Sequence, residues 1–301
     1  MRYNFALNGV APFHFTEIFL DKSSRRLDDR PMIIIGEKIN GTRKQVAAAI
    51  VNRDADFIRG LALRQFQSGA SYLDINAGSL AGREPQDMAW LVEIVQEAVP
   101  DAALCLDSVN HRALRAGIEK SSKIPMLNSL SGEKSRVDSV LPLACEFGTE
   151  LIVLALDDNG IPRTGDGRLE IVRRLVGMTR NGGLPDEKLY VDPLVMAIST
   201  GTDNGNITLE TCRKIKEEFP GVHLTCGLSN ISFGMPLRSI INRAFLVLAI
   251  QAGMDSAIVD PEERELRGIM MAAETVLGKD RHCLNFNRAF RAGKIGPKKD
   301  L

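Results

Sequence analysis

The sequence predicts a (β/α)8 barrel, and three observations carry that expectation. From Met32 onward, short apolar, β-branched runs alternate with longer segments of helical period. Eight such runs occur in order along the chain. The length of 301 residues, 44% of them apolar, is enough to close a large barrel inside a ring of helices. Alternating strands and helices imply parallel pairing through right-handed crossovers. A doubly wound sheet, the alternative, usually has fewer strands.

The strand runs are Met32–Ile39, Ser71–Asn76, Ala103–Asp107, Pro125–Asn128, Leu151–Leu156, Leu189–Asp192, His223–Gly227 and Ser256–Asp260. Helical segments between them include Asp54–Ser68, Pro85–Ala98, Glu133–Phe147, Leu209–Phe219, Ile240–Ala252 and Glu262–Leu277. Residues 1–31 stand apart, with no clean strand and a polar stretch, Asp21–Arg30, rich in Lys, Arg and Asp. They are expected to form an N-terminal extension of unknown role ahead of a barrel domain at 32–301.

Composition narrows the function. Lys+Arg and Asp+Glu both number 38, which argues against a dedicated nucleic-acid or anionic-membrane protein. The longest apolar run, Ala244–Ala252, is too short to span a bilayer. The N-terminus lacks the basic start and apolar stretch of a signal peptide. Five cysteines, an odd number with no CxxC pair, fit a reducing cytoplasm better than a disulfide framework. Nothing in the cysteine or histidine spacing asks for a bound metal.

In such a barrel the functional groups gather at the C-terminal ends of the strands. Those ends are polar nearly all the way round: Glu37 and Asn40, Asp74 and Asn76, Asp107, Asn128, Asp157, Asp192, Asn230 and Asp260. The set is carboxylates and carboxamides, with no histidine and Lys38 as the sole lysine. A Schiff-base aldolase would need that lysine pointing inward, and a metal hydrolase would need grouped histidines. The stretch after strand seven, Gly227-Leu228-Ser229-Asn230, is poor in glycine for a phosphate cradle. What remains suits a neutral, nitrogen-rich heterocycle. Carboxylates accept from ring N–H and amino groups, and an Asn amide both donates and accepts. A pterin presents such an edge.

Each residue alone also has an ordinary explanation. Asp107 can cap the helix that follows, and Asn128 precedes Ser129 and Ser131 as a turn residue would. Asp192-Pro193 is a common turn initiator, and Asn230 with Ser232 can close a turn. The Gly201–Gly205 and Gly165–Gly167 stretches read as turns. Arg238 and Arg243, near the helix after strand seven, are placed to meet an anionic tail or to be structurally paired. The coincidence of one residue class around a whole rim favours the functional reading, since caps do not require it.

The same rim segments carry a resemblance. GEKING at 36–41, LDINAG at 73–78, CLDS at 105–108, NS at 128–129, YVDPL at 190–194, GLSNISFG at 227–234 and INRAFL at 241–246 fall in order. Together they resemble the pterin-binding methyltransferases, which include the methyltetrahydrofolate:corrinoid/iron–sulfur protein methyltransferases and the folate module of cobalamin-dependent methionine synthase. The resemblance covers Met32 to about Leu277. It implies that Asp107, Asn128 and Asp192 bind the pterin, that Asn76 is a further contact, and that Asn230 is the asparagine acting at N5. Glu37, Asp74, Asp157 and Arg238 are further candidates. It also implies tetrahydrofolate or methyltetrahydrofolate as substrate and a homodimer. The Asp-x-His-x-x-Gly signature that binds cobalamin is absent, so the corrinoid is expected on a partner protein. Dihydropteroate synthases share the fold, but their serine- and arginine-rich loops are not recognisable here. That activity and a non-catalytic folate-binding subunit are the alternatives.

Overall fold

The computed structural model describes residues 31–78 and 82–297, so the extension expected at 1–31 lies, apart from Pro31, outside the described residues. Strands β1 (Ile33–Asn40), β2 (Tyr72–Asn76), β3 (Ala103–Asp107), β4 (Met126–Gly132), β5 (Glu150–Asp157), β6 (Leu189–Asp192), β7 (His223–Leu224) and β8 (Ser256–Val259) are all parallel. They run in the order β7-β6-β5-β4-β3-β2-β1-β8. The two edges meet through a parallel bridge between Gly227 and Ile258, where the Ile258 N–H donates to the Cys226 carbonyl at 2.8 Å. That seam closes the ring, so the barrel expected from the alternation is present.

The helices are α1 (Lys44–Asn52), α2 (Ala55–Gln67), α3 (Glu84–Ala98), α4 (His111–Lys120), α5 (Lys134–Phe147), α6 (Gly165–Asn181), α7 (Asn204–Glu218), α8 (Arg238–Gln251), α9 (Arg264–Val276) and α10 (Leu284–Arg291). Three departures from the sequence reading have local causes. The Gly165–Gly167 stretch is the first turn of α6, because Thr164 Oγ1 caps it by accepting the Gly167 N–H at 3.2 Å. Helix α7 starts at Asn204, well before the apolar period that begins at Leu209, so the last two residues of the GTDNG stretch are helical. Strand β7 is only two residues long; beyond it the Thr225 N–H still donates to the Val191 carbonyl of β6 at 3.0 Å, and the chain meets β8 at Gly227.

Period-two alternation gives the barrel two surfaces. Leu73, Ile75, Leu104, Leu106, Leu127 and Val191 face outward and pack under the helices. Ile35, Cys105, Met126, Ile152 and Tyr190 face inward and fill the lumen as a separate cluster. The lumen therefore has a solid floor, and only its upper rim is available for chemistry. Among the described residues no helix is long and apolar enough to cross a membrane.

Below that floor the barrel is tied by polar groups. The Tyr72 hydroxyl donates to Glu150 at 2.6 Å, and the Tyr190 ring stacks on His223 with centroids 4.6 Å apart. Asp255 lies 2.9 Å from His223 Nδ1, accepts the Leu224 N–H at 2.7 Å and pairs with Lys216 at 3.4 Å. Burial pushes the Asp255 carboxyl up, but His223, Lys216 and the Leu224 N–H together outweigh it and hold it below the ordinary aspartate range. A carboxyl depressed in the folded state stabilises the fold above its unfolded pKa and loses that contribution as pH falls through its folded value. Asp255→Ala is therefore expected to cost about 1–3 kcal/mol at pH 7 and to narrow the difference from the parent below pH 4. Urea denaturation at both pH values measures this, and equal midpoints at pH 7 would contradict it.

Candidate active site

Asn76 and Asp107 end β2 and β3 and lie in lateral register with Asn128 of β4, which runs on to Gly132 where the sequence reading ended the strand at Asn128; the three are Cα partners across β2, β3 and β4. Asp192 ends β6, paired with Leu154 of β5. Asn76 Nδ2 donates to Asp107 Oδ2 at 2.9 Å, while Asn76 Oδ1 accepts the Gly78 N–H at 2.8 Å. Asn76 thus fixes the Asp107 carboxylate, and Oδ1 of Asp107 has no hydrogen-bond partner among the described residues. One layer deeper, Asp74 accepts from Asn128 Nδ2 at 3.4 Å, and Asn128 Oδ1 has no partner among the described residues. The capping alternative for Asp107 does not hold, since Asn110 caps α4 by accepting the Arg112 N–H at 3.0 Å.

Backbone contact makes this edge of the rim possible. A Cβ on Gly41 would fall 2.5 Å from the Gly78 nitrogen, so the loops after β1 and β2 touch main chain to main chain. Gly78 also sits at φ +75°, where a side chain would add strain. With glycine at both positions, Gly78 lies near enough to bind Asn76.

Asp192 serves as turn initiator and rim acceptor together. Its Oδ1 accepts the Leu194 N–H at 2.7 Å, and the Gly227 N–H also reaches its carboxylate. Burial raises all three rim-side aspartates: Asp192 to about 6, Asp74 to about 8 with the Asp107 charge adding to it, and Asp107 above its usual value. These carboxylates are poorly compensated within the protein, which is the electrostatic condition of a site built to receive N–H donors.

Asn230 lies in a short 3-10 turn, Leu228–Ser232, and its side chain is exposed. A Cβ on Gly227 would come within 3.1 Å of Asn230 Nδ2, so the amide folds over the strand end whose N–H serves Asp192. The turn is anchored on both sides. Ile198 N–H donates to the Ile231 carbonyl at 3.0 Å, and Ser199 Oγ to the Phe233 carbonyl at 2.6 Å. Arg238 donates to the Ser229 carbonyl at 2.7 Å and to Ser232 Oγ at 3.1 Å, so it braces the turn that bears Asn230.

The remaining candidates separate. Glu37, raised by burial, pairs with Arg43 at 3.0 Å on the β1 side of the rim. Lys38 is held by Asp260 at 2.7 Å and Glu262 at 3.6 Å, an ion-paired ammonium unsuited to Schiff-base chemistry. Asp157 accepts the Asn159 N–H at 2.9 Å and pairs with Arg174 at 3.0 Å, which keep its carboxyl low. It lines a separate cavity of about 440 Å³ with Asn159, Gly160, Pro162 and Arg174, and is not gathered with the aspartates above. No group of three or more His, Cys, Asp or Glu side chains suited to a metal occurs among the described residues.

Two residues escaped the sequence reading: Arg136 of α5 and Arg168 of α6, both buried, which donate to loop carbonyls behind the rim. A signal existed. Arg136 shares a helical stripe with Val140, Leu143 and Phe147, and Arg168 shares one with Val172, Leu175 and Thr179. An arginine on an apolar stripe is a buried cation that needs an explanation.

The chain was compared with known proteins. A family profile described as pterin binding enzyme matches residues 36–260. The methylcorrinoid:tetrahydrofolate methyltransferase of Eubacterium limosum is 40% identical over 268 residues, covering 88% of this chain and 98% of that protein. The methionine synthase of Mycobacterium tuberculosis is 31% identical over 244 residues, which are 77% of this chain but 20% of that protein. Among solved structures, the 7,8-dihydropteroate synthase of Vibrio fischeri superposes with a TM-score of 0.64 at 13% identity, covering 83% of this chain and 94% of that one. At that identity the likeness is one of fold.

Proposed function

The chain belongs to the pterin-binding enzyme family, and from that premise we propose that it moves a methyl group between N5 of tetrahydrofolate and the cobalt of a corrinoid carried by another protein. The observation that carries the proposal is the set of buried acceptors Asp107, Asn128 and Asp192 at the strand ends, beside an Asn230 amide free of protein partners among the described residues. Near-full-length similarity to a methylcorrinoid:tetrahydrofolate methyltransferase supports the same activity. A pyrophosphate-displacing dihydropteroate synthase is less well served. Four cations around the rim are already engaged: Arg136 and Arg168 by carbonyls, Arg238 by the Asn230 turn and Lys38 by carboxylates.

The carboxylates accept the ring N–H and amino donors of the pterin, and Asn128 Oδ1 adds a neutral acceptor. The partner's cobalt, when reduced, would supply the nucleophile; in the reverse direction the methylated cobalt would keep the electron pair of the broken Co–C bond while the N5 lone pair takes the methyl. Methyl transfer away from N5 needs a proton or a hydrogen-bond donor on that nitrogen, because without one the amine would have to leave as an anion when the C–N5 bond pair passes to it. Asn230 supplies a hydrogen-bond donor that strengthens as the charge balance at N5 changes.

Affinity should therefore depend on pH. A protonated aspartate gives up one acceptor, so folate binding is expected to be level above pH 7 and to fall as pH drops through the Asp192 value of about 6. Below that point the loss approaches about tenfold per pH unit for one ionisation. Titration calorimetry between pH 5 and 8 reads this directly, and a flat profile would remove Asp192 from the site.

The activity itself is tested by mixing the protein with methyltetrahydrofolate and cob(I)alamin and following methylcobalamin absorbance, then repeating the assay with purified corrinoid proteins. Folate binding with no cobalt change in any assay would favour a non-catalytic folate subunit. Product from a pterin pyrophosphate and aminobenzoate would favour a dihydropteroate synthase. A homodimer is part of the same reading: the outer face of α8 exposes Ile240, Ala244, Val247 and Leu248 at one-face spacing, an apolar stripe a second copy would cover. Five free thiols accord with a cytoplasmic location.

A further inference from the structure

We infer that Arg136 and Arg168 are paired positioning residues, which lock the chain directly behind the three pterin acceptors and supply the counter-charge that keeps the two aspartates available as carboxylates. The inference rests on the folate reading above. Arg136, in the first turn of α5, donates through Nη2 to the carbonyls of Ser108, at 3.2 Å, and Ser129, and through Nη1 to Val109. Ser108 follows Asp107 and Ser129 follows Asn128. Arg168, in the first turn of α6, donates to the carbonyls of Pro193 at 2.9 Å, Leu194 at 2.7 Å and Pro162 at 3.0 Å. Pro193 follows Asp192. One device thus recurs under both halves of the rim.

Stability alone gives a poor account of it. Both positions lie on apolar helical stripes, where a leucine would fill the space without burying a cation. Arg168 is 1% exposed and Arg136 9%, and neither has a carboxylate within ion-pair distance among the described residues. Their hydrogen bonds end on neutral carbonyls, so each charge acts through space on the acids nearby: Arg136 on Glu133 and Asp107, and Arg168 on Asp192 and Cys212. Around Asp107 the other charged or titratable groups are Asp74, Glu84 and Cys105, all acidic. Around Asp192 they are Cys212 and Cys226, with the Leu194 and Gly227 N–H groups. Among the described residues, Arg136 and Arg168 are the cations that act on Asp107 and Asp192.

Two variants at one position separate geometry from charge. Arg168→Lys keeps the charge but loses the fork, and Arg168→Gln keeps a donor but loses the charge. Methyltetrahydrofolate affinity is measured for parent and variants from pH 5 to 8, with thermal melts as the folding control. Arg168→Lys is expected to bind at least tenfold more weakly at every pH, with the low-pH limb unmoved. Arg168→Gln is expected to shift that limb upward by about one pH unit, since loss of the cation makes Asp192 easier to protonate. Arg136→Lys is expected to weaken binding as Arg168→Lys does, which keeps a test if the Gln variant fails to fold. Folded variants that match the parent in both affinity and limb would overturn the inference alone. A parent that binds no folate would overturn the functional reading and this inference with it.

Discussion

Asn230→Ala is expected to lower the single-turnover rate of methyl transfer by about 10²–10³-fold, roughly 2.7–4 kcal/mol, the usual effect of removing one preorganised donor at a centre of developing charge. The protein should melt near the parent temperature. The main-chain roles of Asn230, donating to the Gly227 carbonyl and accepting from the Phe233 N–H, survive the substitution. Its side chain makes no hydrogen bond to the described residues, so alanine loses no internal contact. Folate affinity should fall less than the rate, because the amide matters most when charge on N5 is greatest. Gly227→Ala is a graded companion: its methyl would stand 3.1 Å from Asn230 Nδ2 and push the amide aside without deleting it. The measurement is a rapid-mixing assay at saturating folate and corrinoid protein. Transfer by Asn230→Ala at the parental rate would make the asparagine a turn residue only.

The second large effect concerns binding. Asp107→Ala and Asp192→Ala should each weaken folate affinity by about 1.5–3 kcal/mol, the range for hydrogen bonds to a charged group. The two belong to separate networks, Asp107 with Asn76 and Asp192 with Leu194 and Gly227, so the double variant should lose about the sum. Calorimetry on folded variants reads both. Parental affinity in both single variants would refute the pterin site. Unliganded stability should move the opposite way. An aspartate raised by burial stabilises the folded state fully only below its unfolded pKa, and that contribution is lost as pH rises through the folded value. Asp192→Asn should therefore melt above the parent at pH 8, a conflict between stability and function common at binding sites.

Much of this was legible in the sequence because the barrel is written in local patterns. The runs at Ala103–Asp107 and Leu189–Asp192 are bounded in the structure as the alternation places them. Their polar last residues mark the rim because strand ends are where apolar periodicity stops. Helices were harder where capping carries the signal. Helix α6 opens on Gly165, a poor helix former, and depends on Thr164 for its start. The roles within the rim were not legible at all. That Asn76 orients Asp107, that Arg238 braces a turn and that Asp157 turns to Arg174 follow from side-chain directions fixed only by tertiary packing. A sequence names the residue at a strand end, but not which of its neighbours it faces.

The seam that closes the barrel gives these static contacts an order in time. At its base, Asp255 fastens β7 through Leu224, His223 and Lys216. At its top, beyond the two residues of β7 paired with β6, the chain is joined to β8 by the Thr225–Ser256 hydroxyl contact, the Ile258 N–H on the Cys226 carbonyl and the Gly227–Ile258 bridge before it enters the turn that carries Asn230. Amide protons along this line should exchange with solvent in a gradient, slow at Leu224 and fast from Ser229 to Ile231. Exchange at the upper end then reports how firmly Ile198, Ser199 and Arg238 hold the turn that carries the asparagine, while the base reports the seam itself.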